Sequence, residues 1–166
     1  ELFASMSHIA DYGQSEKHTH NTIGHNSRLD SLQAAILNIK LPHLANWNKA
    51  RRVAATLYSD RLKELDVKHP IEEPNVHSVY HLYVIEVENR NECLEFLRGN
   101  GIMAQIHYPV PIHLQPCYTN LGLTPGDLPV TEAASNRILS LPIFPEIMIE
   151  QIDEVVEVLG NFLRQR

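Results

Sequence analysis

The chain has 166 residues, a formal net charge of -6 at pH 7, 43% hydrophobic and 20% charged residues, which is ordinary for a soluble globular protein with one real core or two small ones. The acidic balance and the lack of any Lys/Arg cluster beyond Arg51-Arg52 argue against a nucleic-acid surface or an anionic membrane as partner. The two cysteines, Cys93 and Cys117, form no CxxC pair, so neither a disulfide framework nor a structural zinc site is indicated, and no apolar run approaches the roughly 20 residues that span a bilayer. A reducing, cytoplasmic setting is expected.

The chain opens on Glu1 rather than Met and enters an amphipathic helix at once, with Leu2, Phe3, Met6 and Ile9 on one face, as expected of a domain excised from something longer. Residues 12–25 are polar, rich in His, Asn and Thr, and carry no period, so a loop is expected. At Gly24-His25-Asn26-Ser27-Arg28-Leu29-Asp30 a turn leads into a helix, with Ser27 and Asp30 matching the reciprocal capping box. Asn26 and Arg28 stand at its mouth. A helix start offering free N–H groups, an amide and a guanidinium suits phosphate or carboxylate, while the same residues serve equally as a plain cap with a solvated arginine.

Leu29, Leu32, Ile36 and Ile39 continue that helix until Pro42 disfavours its passage through Leu41. A second helix from Pro42 would bury Leu44, Trp47, Ala54, Leu57 or Tyr58, Leu62 and Leu65. The run Val79 to Val87, apolar on both faces, predicts a central strand. Asn91 is expected to cap a short helix bearing Cys93, Leu94, Phe96 and Leu97 and ending near Gly99-Asn100-Gly101. A second strand alternates from Ile102 to His107, giving a β-α-β arrangement. Five prolines in residues 108–129 predict extended loop with at most one helical turn. Thr131 to Leu139, capped by Thr131, and Ile149 to Leu163 complete the helices. The fold class is α/β (α+β), long helices packed on a small sheet.

Four ordered stretches carry a resemblance. These are Asp11-Tyr12-Gly13; Gly24-x-Asn26-x-Arg28-Leu29-Asp30-x-x-Gln33-Ala34-Ala35; Ile106-His107-Tyr108-Pro109-Val110-Pro111-Ile112-His113-Leu114-Gln115-Pro116; and Leu139-Ser140-Leu141-Pro142-Ile143-Phe144-Pro145-Glu146. Together they resemble the pyridoxal-phosphate sugar aminotransferases of the DegT/StrS type, over the C-terminal part of such an enzyme. The resemblance implies the C-terminal small domain of a fold-type I enzyme in residues 27–166, with residues 1–26 as terminal helix and loop from the domain junction. It implies transfer of an amino group from an amino acid, glutamate foremost, to a nucleotide-linked keto-sugar by a homodimer.

By the same resemblance Asn26 reaches the cofactor phosphate across a dimer interface, and Arg28 is a candidate for the amino donor's carboxylate or a phosphate of the nucleotide-sugar. His107, Tyr108 and His113 would line the sugar-nucleotide site, although read alone such histidines are more often packed or solvated rings and Tyr108 an interface aromatic. Transamination needs a lysine amine to hold the cofactor. Lys17, Lys40, Lys49, Lys63 and Lys68 stand in no Ser-rich context of the family's kind, so no catalytic residue is assigned here and the isolated chain is expected to be inactive. Two other readings keep their place: a sugar dehydratase of the same superfamily, with His in place of that lysine, and a non-catalytic binding or dimerisation module. No metal site is expected: His18-x-His20 with His25 is the densest cluster and lacks partner ligands. Glu72, Glu73, Glu86 and Glu88 are expected to be solvated. Met148 stands where the family places Thr or Ser before the last helix, giving up a cap commonly worth about 1 kcal/mol.

Overall fold

The computed structural model describes residues 1–165, which divide into two compact units, Glu1–Leu44 and the described residues from Ala45 onward. In the first, helix α1 (Leu2–Ala10) leads into a hairpin of β1 (Gln14–Glu16) and β2 (Thr19–His20), followed by α2 (Ser31–Lys40) and a 3-10 turn, Leu41–His43. The expected loop over 12–25 thus contains a hairpin. It left no alternating signal because neither strand buries a face, and its turn uses His18 at φ 71 where Asn-Gly is the usual cue.

Helix α2 also begins later than its sequence suggests. Asp30, not Ser27, takes the cap position, and the Gln33 Oε1 accepts from the Asp30 N–H at 3.2 Å. Asp30-x-x-Gln33 is itself a capping-box pattern, and it competes successfully with Ser27-x-x-Asp30. Gly13 is the only buried residue of this unit, whereas Phe3 is 83% exposed and Leu32 74%.

The second unit is built on α3 (Leu44–Leu62), α4 (Arg90–Gly99), α5 (Pro129–Arg137) and α6 (Ile149–Arg164), with strands β3 (Tyr83–Glu86) and β4 (Ile138–Leu141). The strands pair antiparallel, Tyr83 opposite Leu141 and Ile85 opposite Leu139, and single bridges Lys68–Glu86 and Gln105–Ser140 widen the sheet on either side. Tyr83, Ile85, Leu139 and Leu141 point into one core with Ala54, Tyr58 and Leu62 of α3, Cys93 and Leu97 of α4, and Ile152, Leu159 and Phe162 of α6. Tyr58 stacks on Tyr83 at 5.0 Å and Phe96 meets Phe162 at 5.6 Å.

Several expectations are corrected here. The strand over 79–87 is only four residues long and buries alternate residues, because Tyr80 turns the chain at φ 47 before it begins. The strand at 102–107 reduces to the bridge at Gln105, so the β-α-β unit is split, with β4 between its two strands. Leu139 ends no helix: α5 stops at Arg137 and residues 138–141 are strand, since four residues next to a proline give too short a run to read. Asn89 at φ 53, not Asn91, precedes α4, and Leu128, not Thr131, precedes α5. Two 3-10 segments, Ile112–Leu114 and Pro116–Leu121, replace the single turn expected after Tyr108. Leu44 is exposed, and α3 starts two residues after Pro42. Helix α6 matches expectation; Gln151 Oε1 accepts from the Met148 N–H at 3.0 Å, so half of a capping box survives without Thr or Ser.

Candidate functional site

Asp11-Tyr12-Gly13 and the Gly24–Arg28 segment form one knot in the first unit. The His25 N–H donates to Ile9 O at 2.7 Å, the Tyr12 N–H to His25 O at 3.0 Å, and the Ser27 N–H to Ala10 O at 2.8 Å. Asp11 and Asn26 face each other in an isolated antiparallel bridge. The close approach dictates the glycines: a Cβ on Gly24 would lie 2.1 Å from the Gly13 nitrogen, and one on Gly13, at φ +71, would lie 1.9 Å from Thr22 O.

On this frame Arg28 Nη1 meets Asp11 Oδ1 at 3.1 Å, Nε lies 3.4 Å from Asp30 Oδ1, and the guanidinium sits 5.4 Å from the Tyr12 ring centroid. The Gln14 side-chain amide donates to the other Asp11 oxygen. That amide first, and the Arg28 guanidinium second, hold the Asp11 carboxyl below the usual carboxylate range. Asn26 is exposed, and among the described residues its side-chain amide has no hydrogen-bond partner. Both site residues of this segment therefore sit at the surface. At the helix mouth the Gln33 side chain takes the Asp30 N–H, while the Asn26 amide stands open as a donor.

The second unit carries the other three. The His107 Nδ1 is 2.9 Å from the Ser140 Oγ, its ring meets Tyr108 edge-on at 5.4 Å, and Tyr108 is 71% exposed. His113 does not join these two: it is buried, and its Nε2–H donates to Glu132 Oε1 at 3.1 Å. The same carboxylate accepts from the Gly126 N–H at 2.9 Å and the Leu128 N–H at 3.2 Å. The Gly126 amide foremost lowers the Glu132 pKa. His113 and Glu132 thus tie the proline-rich segment together.

Asp11 as the partner of Arg28, and Glu132 as the partner of His113, were not read from the sequence. Separations of 17 and 19 residues fall on no helical or strand period, and only the shared motif order hinted at the first pair. Glu72 is likewise no solvated carboxylate. Arg52 grips both its oxygens, at 2.6 and 2.9 Å, and the Ser78 N–H donates to it at 2.6 Å. Among the described residues no three His, Cys, Asp or Glu side chains gather to hold a metal, and all five lysines are exposed. No helix is long and apolar enough to cross a membrane.

The fold is that of aminotransferase chains. DesV of S. venezuelae, solved in complex with a ketimine intermediate, superposes with a TM-score of 0.86 at 36% identity over 98% of this chain and 44% of that one. The model of the DegT/DnrJ/EryC1/StrS aminotransferase family matches residues 1–160, and the chain belongs to that family. A "pleiotropic regulatory protein" of Geobacillus stearothermophilus is 41% identical over 99% of this chain and 45% of its own length. The dTDP-3-amino-3,4,6-trideoxy-alpha-D-glucose transaminase of Streptomyces venezuelae is 38% identical over 98% and 43%. The chain spans less than half the length of these relatives.

Proposed function

We propose that the chain is the C-terminal part of a pyridoxal-phosphate-dependent aminotransferase that moves an amino group from glutamate to a nucleotide-linked keto-sugar in a cytoplasmic homodimer, residues 27–166 being its small domain and 1–26 the junction. The observation that carries this reading is Asn26, an unpartnered amide exposed on a turn fixed by backbone bonds on either side. A neutral amide donor suits a phosphate oxygen, and the S. venezuelae transaminase, named for a dTDP-linked amino sugar, supports the substrate class.

In the complete enzyme Asn26 would donate its side-chain N–H to the cofactor phosphate. Pyridoxal phosphate supplies the electron sink for amino transfer once a lysine amine elsewhere holds it. Arg28 keeps its Nη2 edge outside the ion pairs to Asp11 and Asp30 and would present it to the donor carboxylate. His107, its ring oriented by Ser140, and the exposed Tyr108 would hold the sugar nucleotide, with His113 shaping that loop from beneath.

The test is Asn26→Ala in the complete polypeptide, followed by cofactor retention on dialysis and by circular dichroism. One hydrogen bond to a charged group corresponds to a roughly ten- to hundredfold change in affinity. Weakened retention with an unchanged fold is expected; full retention refutes the reading.

A further inference from the structure

We propose that Asp11 is a positioning residue: through the backbone bridge to Asn26 and the ion pair to Arg28 it sets the direction of the Asn26 amide, and Arg28 in return neutralises Asp11 so that a phosphate can approach. The inference rests on the Asn26 contact proposed above.

Directly opposed residues of an antiparallel pair project their side chains from one face, which places the Asp11 carboxylate beside the Asn26 amide. Arg28, two residues further on, closes onto that carboxylate at 3.1 Å. The segment is pinned on both sides of Asn26, by the Tyr12 N–H on His25 O at 3.0 Å and the Ser27 N–H on Ala10 O at 2.8 Å, so the amide has little freedom beyond its own side-chain torsions. The second Asp11 oxygen is taken by Gln14, and the Tyr12 ring stacks beneath the guanidinium at 5.4 Å. Every polar atom of Asp11 is thereby used within the turn. A bare carboxylate beside a phosphate would repel it, since like charges at close range near a protein surface oppose each other. Arg28 removes that repulsion without binding the phosphate itself.

The experiment uses the complete polypeptide, with pyridoxal phosphate as the probe and no substrate present. Asp11→Asn should lower cofactor affinity about tenfold and speed hydrogen exchange at the Ser27 and Tyr12 amides, with the global melt unchanged. Arg28→Gln, which leaves Asp11 uncompensated, should lose more, and adding Asp11→Asn to it should recover part of the loss. In an Asn26→Ala background Asp11→Asn should cost no further affinity. A merely structural Asp11 would weaken retention equally in both backgrounds, and that result overturns the proposal, as does unaltered retention by Asp11→Asn while Asn26→Ala loses the cofactor. Retention by Asn26→Ala itself rejects the cofactor contact instead, so the two failures are told apart.

Discussion

Tyr58 connects the core to Pro142, just past the end of β4 in the family signature, and two substitutions separate its ring from its hydroxyl. The side chain is fully buried, stacks on Tyr83 at 5.0 Å, and its hydroxyl donates to Pro142 O at 2.9 Å. Burial chiefly, with the neighbouring Tyr83 second, raises its pKa, so the hydroxyl is protonated at neutral pH and can donate. Tyr58→Phe keeps the stacked ring and its apolar contacts. It removes one hydrogen bond to a part-buried carbonyl, worth about 1 kcal/mol net. Tyr58→Ala also empties the ring's volume, for a loss of about 3–5 kcal/mol, as for other aromatic truncations. Urea unfolding followed by near-ultraviolet circular dichroism reads both through the midpoint, provided the slope is unchanged. If Phe were as damaging as Ala, the hydroxyl bond and not the stack would anchor the end of β4, and this division of the two contributions would be wrong.

Two further outcomes follow from local geometry. Gly24→Ala places a Cβ 2.1 Å from the Gly13 nitrogen and 2.5 Å from the Tyr12 carbonyl carbon, so the backbone must part. Loss of hydrogen-exchange protection at Tyr12 and His25 is expected, at a cost of about 2 kcal/mol or more, while Gly99→Ala, with nothing within 4 Å of its Cβ, leaves those amides alone. Glu72 is held at about 2, first by the Arg52 hydrogen bond and then by the Ser78 amide, against an ordinary value of 4.5. Because its folded pKa is depressed, the stabilisation is full above 4.5 and fades as pH falls towards about 2. The stability difference between the unaltered chain and Glu72→Gln should therefore shrink across that window in urea titrations; a constant difference would falsify the clamp.

What the sequence made legible were the features with a period. Helix α6 repeats its apolar residues along the whole of Ile149–Arg164 and was placed to within a residue, and α1 and α4 were found by the same signal. What stayed hidden were short or two-sided elements. Strand β4 is four residues with three of them buried, indistinguishable by pattern from the end of the helix before it, and only pairing with β3 decides its state. The caps were misplaced wherever two polar residues competed, as Ser27 and Asp30 did, because the winner depends on where the backbone can turn.

The site followed the same division, and that bears on what its residues do. Motif order named Asn26, Arg28, His107, Tyr108 and His113 but gave no hint of which would face outward, since facing is a property of partners distant in sequence. Asp11 occupies Arg28 and leaves Asn26 open; Glu132 draws His113 inward and leaves Tyr108 exposed. In each pair one signature residue holds the turn, Arg28 with its Nη2 edge still open, and its neighbour is left free for a ligand. An exposed amide on a rigid turn binds more tightly than the same amide on a mobile one, because the ordering entropy is lost on folding and not on association. The paired Arg28 and the buried His113 are on this argument what makes Asn26 and Tyr108 useful. Their value to the binding of Asn26 and Tyr108 to ligand lies in immobility, and substitutions at either should speed local exchange as well as weaken binding.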